Sequence, residues 1–208
     1  MAIRLAGREV EVEALVAEVA KDRSFFLKSG GGVTFSGGEP LDQIEFLGRC
    51  IEQFLAMEIP VAIESCLAVD HETLATMLGF PIDWLVDVKH VVEDKYLRQT
   101  GGHVEQVLAN LRALSKASSR VIYRVPLIPG FNDSDNDREL ILEFIASLDR
   151  VSPQPPQVDI LPYHDLAAGK YLQLGRANPY NRKPLAKEVL EKWRLAVAEL
   201  GTQVNVGG

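Results

Sequence analysis

Short apolar runs alternate with amphipathic segments along this 208-residue chain, and the alternation limits the folds open to it. Five runs have the length and β-branched content of buried strands, at 33–35, 61–65, 84–88, 121–127 and 158–161. Helical periodicity lies between and around them, over about 11–28, 44–55, 70–78, 104–116, 136–149 and 184–200. Helices that cross between strands buried on both faces imply a parallel sheet with right-handed connections. The pattern predicts an α/β fold with five parallel strands, a weaker sixth strand at 203–206 and a long loop at about 163–183.

The composition fits one globular domain that spans residues 1–208. Apolar residues make up 47% of the chain and charged residues 25%, which are proportions typical of a folded protein. The net charge of −7 creates no field that would attract nucleic acid or an anionic membrane, and no apolar run is long enough to span a bilayer. We therefore expect a cytoplasmic protein. Its two cysteines, Cys50 and Cys66, lack the close spacing of a metal site and are expected to be free and reduced.

Polar residues follow the predicted strands at their carboxyl ends, which is the edge where parallel α/β sheets bind ligands. Because these ends meet at one edge, we expect the polar residues to converge there, and we call the group the mouth. The strand ends carry polar segments at 36–40, 64–66, 87–90, 124–133 and 163–165. The nine candidate site residues among them are Gly37, Gly38, Glu39, Glu64, Ser65, Asp87, Lys89, Arg124 and His164.

Residues of the mouth also have purely structural interpretations. A Gly-Gly pair admits a ligand close to the backbone, but it equally forms a tight turn before a helix that begins with Glu39. Asp87 and Lys89 point to the same face of their strand and form a plausible ion pair with each other. The planar fork of Arg124 matches a carboxylate or phosphate of a ligand, or one of the nearby acidic side chains. His164 alone fits a loop cap as well as a ligand contact.

Five motifs in a fixed order favour the functional interpretation. They are GGGVTFSGGEPL at 30–41, DVKH at 87–90, TG at 100–101, RVPLIPGFND at 124–133 and LPYH at 161–164. In combination they resemble the radical S-adenosylmethionine activating enzymes of glycyl radical enzymes, of the pyruvate formate-lyase activating enzyme type. The match extends from about residue 3 to residue 200, and the opening residues 2–9 look like the stretch that follows a ferredoxin-like insert in longer members.

The resemblance implies a partial TIM-like (β/α)6 barrel that binds S-adenosylmethionine (SAM) against a [4Fe-4S] cluster. In the family, one electron from the cluster cleaves the sulfonium, and the resulting 5′-deoxyadenosyl radical removes a hydrogen from a backbone glycine of the partner enzyme. Carried over by motif, Gly37, Gly38 and Glu39 meet the methionyl amino group through backbone atoms. Lys89 and Arg124 neutralise the methionyl carboxylate.

The remaining residues of the mouth take the other parts of SAM under the same resemblance. Asp87 and His164 lie at the ribose or adenosine end. Glu64 and Ser65 occupy the place where family members contact the methionine carboxylate or a nearby cation. No catalytic residue and no metal ligand of this chain follows from the match.

The sequence also departs from the family pattern. Family members hold the cluster with a C-x3-C-x2-C loop after the first barrel strand, and neither that loop nor that strand is present in these 208 residues. Three thiolates are needed to leave one iron open to SAM, so we expect that this chain alone cannot bind the cluster. The segment Ser65-Cys66-Leu67 lacks the glycine expected after the Glu-Ser pair, and Tyr96 replaces the usual histidine of the helix that the family has before Thr100-Gly101.

Two function classes therefore remain open. One is a radical SAM activase for a glycyl radical enzyme such as pyruvate formate-lyase, inactive as this chain alone. The other is a noncatalytic SAM-binding or protein-binding module derived from the same fold. In either case a barrel without its first strand exposes an unpaired edge at 33–35, and self-association is the expected consequence.

Overall fold

A computed structural model describes residues 7–118, 120–151, 155–166, 168–177, 182–201 and 204–207. Six strands form one parallel sheet in which each strand pairs with the next along the chain. The strands are β1 Val33–Phe35, β2 Val61–Ser65, β3 Asp83–Asp87, β4 Val121–Leu127, β5 Gln157–Pro162 and β6 Val204–Val206. This sequential parallel order is that of an open α/β barrel, and it confirms the predicted fold class.

Helices connect the strands and pack on one face of the sheet. They are α1 Val12–Val19, α2 Arg23–Ser29, α3 Ile44–Ala56, α4 His71–Met77, α5 Glu93–Thr100, α6 Val104–Ala117, α7 Asp135–Ala146, α8 Ala168–Gln173 and α9 Lys187–Glu199. Within the described ranges no helix is both long and apolar enough to cross a bilayer.

Alternation along each strand separates an apolar face from a polar one. Ile63, Trp84, Tyr123 and Val158 are almost fully buried in the core beneath the helices. The residues that alternate with them along each strand point to the opposite face of the sheet. Glu64, next to Ile63 on β2, is one of them and is half-buried. Because side chains alternate along a strand, the same six strands supply both the core and the surface that carries the mouth.

The predicted boundaries differ from the structure in several places. The helix predicted over 11–28 is interrupted by a 3-10 turn at Ala20–Asp22, and the loop predicted over 163–183 contains α8. Helix α5 has no counterpart in the periodicity, because its eight residues have only one buried side chain, Tyr96. Predicted features at 2–6, 152–154, 178–180 and 203 lie outside the described residues.

Glycine at position 32 allows β1 to pair closely with β2. A Cβ atom on Gly32 would lie 2.1 Å from the carbonyl oxygen of Pro60. That same oxygen accepts the hydrogen bond from the amide of Val33 that begins the β1–β2 pairing, at 2.9 Å. A larger residue at 32 would therefore separate the strand that leads into the Gly37-Gly38 turn from its neighbour.

Candidate functional site

Four charged side chains from β2, β3, β4 and the segment after β3 form a network at the mouth. Nη2 of Arg124 lies 2.9 Å from Oε1 of Glu64, and its Nε lies 3.6 Å from Oδ1 of Asp87. Nζ of Lys89 lies 3.9 Å from Oδ2 of Asp87. Asp87 and Arg124 are register partners on adjacent strands, so the sheet itself brings them together. Anions and cations thus alternate along the network, in the order Glu64, Arg124, Asp87 and Lys89.

The network is partly desolvated and incompletely hydrogen-bonded. The Arg124 side chain is 16% exposed and that of Asp87 is 20% exposed. Within the described residues, Nε of Arg124 and Oδ1 of Asp87 are buried without a hydrogen-bond partner, because the 3.6 Å between them is too long for one. Buried polar atoms normally form hydrogen bonds. One donor of Arg124 and one acceptor of Asp87 therefore remain unsatisfied in the network.

Burial raises the pKa of Asp87, and the nearby charges of Lys89 and Arg124 oppose that rise. The carboxylates of Glu64 and Glu39 add to the rise. The charged form of Asp87 is therefore less favourable here than in water, and a further cation or hydrogen-bond donor near its carboxylate would stabilise that form.

The Gly37-Gly38 turn presents open backbone beside this network. Gly37 has a φ of +122°, which residues with a Cβ rarely adopt. Both glycines are exposed, and a Cβ atom placed on either would meet no other atom within 4 Å. The turn thus leaves free space along its backbone.

Glu39 links the turn to the end of β2 through its side chain. Its Oε1 accepts a hydrogen bond from the Ser65 hydroxyl at 2.8 Å, and its Oε2 accepts one from the Cys66 amide at 3.0 Å. Oε1 also accepts from the amide of Leu41 at 3.3 Å, which caps the 3-10 turn Pro40–Gln43. The carboxylate of Glu39 is thus occupied by hydrogen bonds within the protein, and a contact of its backbone with a ligand stays a prediction.

Ser65, a member of the mouth, and the next residue, Cys66, belong to the same linkage. Ser65 is buried, and besides donating to Glu39 its hydroxyl accepts a hydrogen bond from the amide of Leu67 at 2.9 Å. The Cys66 thiol is half-buried, with its Sγ 3.2 Å from Oε2 of Glu39. Burial raises the pKa of this thiol, which keeps it protonated near neutral pH.

His164 lies apart from the charged network. It is exposed just after β5, where the amide of the preceding residue, Tyr163, bonds the carbonyl of Leu127 on β4. In the described part of the chain no hydrogen bond or ion pair joins His164 to Asp87, the residue that the family resemblance assigns with it to the ribose or adenosine end. The structure therefore brings the strand-borne charges together and leaves His164 on the rim.

Asn132 is a positioning residue that the sequence did not single out. It is fully buried, its Nδ2 donates to the carbonyls of Lys89 and Pro126, both at 2.9 Å, and its Oδ1 accepts from the amide of Ile128. These bonds fix the segment after β3, which carries Lys89, to the segment after β4. The only sequence signal was its place in the motif at 124–133, where an Asn next to Gly and Pro is typical of an ordinary turn.

The two cysteines are free and lie in different parts of the fold. Cys50 is buried in α3 and Cys66 follows β2. Over the ranges that the structure describes, no three His, Cys, Asp or Glu side chains are grouped so that they could hold a metal ion. The thiols of these 208 residues are thus fewer than the three that a SAM-accessible [4Fe-4S] cluster requires.

Similarity to known proteins covers most of the chain. The family model of the radical SAM superfamily matches residues 2–145. The benzylsuccinate synthase activating enzyme of Thauera aromatica is 33% identical over 208 residues, covering 98% of this chain and 62% of that enzyme. The 4-hydroxyphenylacetate decarboxylase activating enzyme of Clostridioides difficile (strain 630) is 35% identical over 185 residues, covering 88% of this chain and 56% of that enzyme. The chain thus spans little more than half the length of these relatives.

A solved structure shares the fold over nearly its whole length. It is a domain of the pyruvate-formate lyase-activating enzyme from Bacteroides vulgatus ATCC 8482, with a TM-score of 0.69 and 27% sequence identity. The similarity covers 86% of this chain and 99% of that domain.

Proposed function

The chain belongs to the radical SAM superfamily, and we propose that it acts as part of an activating enzyme that generates a glycyl radical on a partner such as pyruvate formate-lyase. The activating enzymes among its relatives support this role. The observation that carries the proposal is the charged network of Arg124, Asp87, Glu64 and Lys89, which leaves buried hydrogen-bonding capacity beside an open glycine turn.

The residues of the mouth fit the polar groups of SAM. The carboxylate of its methionyl part matches the Lys89 ammonium and the unused Nε of Arg124, since a guanidinium fork bonds carboxylates with charge assistance. Its amino group suits the backbone of Gly37, Gly38 and Glu39, where free space borders the turn. In the family, bound SAM supplies the carbon-centred radical that removes the glycyl hydrogen.

Other residues of the mouth orient the ligand in this proposal. The unused Oδ1 of Asp87 accepts from the ribose or adenosine end, and His164 contributes from the rim. Glu64 holds Arg124 in place through the 2.9 Å ion pair and lies where the methionine carboxylate or a nearby cation would be. Ser65 acts through Glu39, because its hydroxyl donates to that carboxylate.

The cluster does not fit the residues of this chain, and we derive no step through it. We propose instead that these 208 residues alone are inactive in radical formation, since they contain two cysteines. The cysteine count equally supports a second function, a noncatalytic module that binds SAM or a protein partner through the same mouth. In that function the network would bind the methionyl group without any chemistry.

Loss of either cation of the mouth tests the ligand assignment. We expect weak binding of SAM by the wild-type chain, because no cluster contributes coordination bonds. Arg124→Ala or Lys89→Ala should weaken it roughly tenfold or more, since a hydrogen bond to a charged group contributes about 1.5–3 kcal/mol and about 1.4 kcal/mol corresponds to tenfold. Titration calorimetry or ligand-observed NMR with SAM measures the effect.

Two variants outside the mouth serve as controls. His103 is exposed and pairs with Glu93, and Arg194 is exposed on α9 and pairs with Glu191. Alanine at either position should leave SAM affinity unchanged. Equal affinity of the wild type, Arg124→Ala and Lys89→Ala would overturn the assignment, as would no binding to the wild type at millimolar SAM.

A further inference from the structure

A cavity lies at the amino-terminal edge of the sheet, opposite the edge that carries the mouth. Its volume is about 290 Å³. The first residues of β3, β4 and β5 (Asp83, Val121 and Gln157) line it, together with the segments that precede β4 and β5. The side chains that matter for its chemistry are Arg150, Arg120, Asp83, Tyr123 and Gln157.

Arg150 brings an unpaired charge to this cavity. Its Nε and Nη1 are buried and have no hydrogen-bond partner within the described residues. The neighbouring amide of Val151 donates to the carbonyl of Ser115 at 3.1 Å, which ties this part of the chain to α6. A guanidinium stays charged at every relevant pH, so it cannot avoid the cost of burial by losing its proton. Such a group normally needs an anionic partner.

The acidic residues around Arg150 are already paired with other bases. Oδ1 of Asp83 lies 2.6 Å from Nε of Arg120 on the rim of the cavity. Asp149, the residue before Arg150, has its carboxylate 3.3 Å from Nζ of Lys116. The Tyr123 hydroxyl is 2.8 Å from the Ser115 hydroxyl. Among the charged residues that line the cavity, two arginines face one aspartate, so the lining carries an excess positive charge.

We propose that this cavity binds a small oxyanion, the carboxylate or phosphate group of a small molecule, through the guanidinium of Arg150. Two N–H groups of one guanidinium match two oxygens of such a group. Nε2 of Gln157 donates to Oδ1 of Asp159 at 3.4 Å and has a second N–H for a ligand, and Pro155 and Pro156 form an apolar wall. The volume lies near the lower end of small-molecule sites, which start at about 300 Å³, and so favours a small ligand. This site is independent of the function proposed for the mouth.

Thermal unfolding in the presence of two probe anions tests the site. Inorganic phosphate and acetate are each compared with sodium chloride at equal ionic strength, in the wild type, Arg150→Gln, Arg150→Lys and the control Arg49→Gln. Arg49 is an exposed arginine on α3 that pairs with Glu13. The anion that raises the Tm of the wild type more at equal concentration identifies the preferred group, tetrahedral phosphate or planar carboxylate.

The variants are expected to differ in their affinity for the anion and in their stability without it. Arg150→Gln should bind the anion at least tenfold more weakly than the wild type, and Arg49→Gln should respond as the wild type does. Arg150→Lys keeps the charge but loses the fork, so its response should be intermediate. Without phosphate or acetate, Arg150→Gln should be at least as stable as the wild type, because it no longer buries an unpaired charge. No rise of the wild-type Tm with either anion, or an equal rise in Arg150→Gln, would overturn the proposal.

Discussion

At the scale of single residues, Leu67 combines a strained backbone with a buried side chain. Its φ is +55°, in the left-handed region, and its side chain is 1% exposed. The surroundings hold it there, because its amide donates to the Ser65 hydroxyl and its carbonyl accepts from Nδ2 of Asn110. It follows the Glu-Ser pair in the segment where the family resemblance led us to expect a glycine, and the backbone has the conformation that glycine favours.

Substitutions at Leu67 should reverse the usual ranking of alanine and glycine. Leu67→Ala keeps the strain and removes a buried side chain, which costs about 2–5 kcal/mol. Leu67→Gly loses the same contacts but relieves a left-handed conformation that costs roughly 1–2 kcal/mol for residues with a Cβ. The free energy of unfolding, measured with urea, should therefore fall less for Leu67→Gly than for Leu67→Ala.

Leu74 provides the matched control for that comparison. It is fully buried inside helix α4, where glycine is about 1 kcal/mol less favourable than alanine. Leu74→Gly should thus be less stable than Leu74→Ala. The same order at both positions would show that strain at Leu67 contributes nothing measurable.

At the scale of elements, a buried polar cluster joins the segment after β3 to the start of α7. Asp137 is buried, its Oδ1 lies 3.1 Å from Nε2 of His90 and 2.5 Å from Nζ of Lys95, and its Oδ2 accepts from the Ser134 hydroxyl. Nδ1 of His90 accepts from the amides of Val91 and Val92, so Nε2 carries the proton and donates to Asp137. The cluster helps to hold the segment that carries Lys89 in the mouth.

Stability supplied by this cluster should depend on pH. Burial raises the pKa of Asp137, but hydrogen bonds from Lys95, Ser134 and His90 outweigh it and hold the pKa below its usual 3.8. A carboxyl whose pKa is lowered by folding stabilises the protein above its unfolded pKa, and this contribution is lost as pH falls through the folded pKa. Asp137→Asn should lower the free energy of unfolding at pH 7 by about 1.5–3 kcal/mol.

The difference between Asp137→Asn and the wild type should shrink as pH falls below about 3.8, when measured by urea unfolding across a pH series. Asp135, at the same helix end, is 57% exposed, and its pKa is also lowered by Arg138 and Lys192. Asp135→Asn should therefore show the same pH dependence with a smaller amplitude, because ion pairs of an exposed carboxylate contribute little. If the free energy of unfolding of Asp137→Asn stayed below that of the wild type by the same amount at every pH, the cause would be lost packing and not the loss of the carboxylate charge.

At the scale of the whole molecule, β1 forms an edge of the sheet. Within the described residues it pairs with β2 on one side and with no strand on the other. The amide of Val33 points to β2, so that of Thr34 points the opposite way, to the open edge. Such an edge is a template for pairing with a second copy, and self-association through it stays a prediction.

A charge placed on this edge should reduce self-association. Thr34 is exposed, and lysine on an edge strand disfavours edge-to-edge pairing. Sedimentation velocity at increasing concentration should show association of the wild type and less of it for Thr34→Lys. Thr76→Lys makes the same change on the exposed face of α4 and should sediment as the wild type does. A wild type that stays monomeric at every concentration would contradict the prediction.

The isolated 208-residue chain should contain no stoichiometric iron after anaerobic reconstitution with iron and sulfide. Its two thiols lie on α3 and after β2, and a site-differentiated cluster needs three thiolates. Iron and sulfide analysis of the purified chain, with Cys66→Ser as the control, measures this. Four irons and four sulfides per chain, lost in Cys66→Ser, would refute it.

The single domain over 1–208 and the cytoplasmic location also stay predictions.

The order of strands and helices and the candidate residues of the mouth follow from the sequence alone. The five predicted strands were found to within one or two residues at each end, because each is a short run rich in apolar and β-branched residues between helical segments. Periodicity missed helix α5 and helix α8 because short, exposed helices leave no apolar stripe. Only the family resemblance placed a helix before Thr100-Gly101. The charges at the strand ends were identified because parallel strands bring those ends together.

Only the tertiary structure decided which of these side chains meet. Sequence offered Arg124 several acidic partners, and the register of β3 and β4 with the position of β2 selected Asp87 and Glu64. The bonds of Glu39 to the end of β2 were likewise invisible in the sequence. So were the two nitrogens of Arg150 that are buried without a hydrogen-bond partner among the described residues. The physical reason is that periodicity reports the face on which a residue lies, whereas pairing depends on distances between residues far apart in the chain.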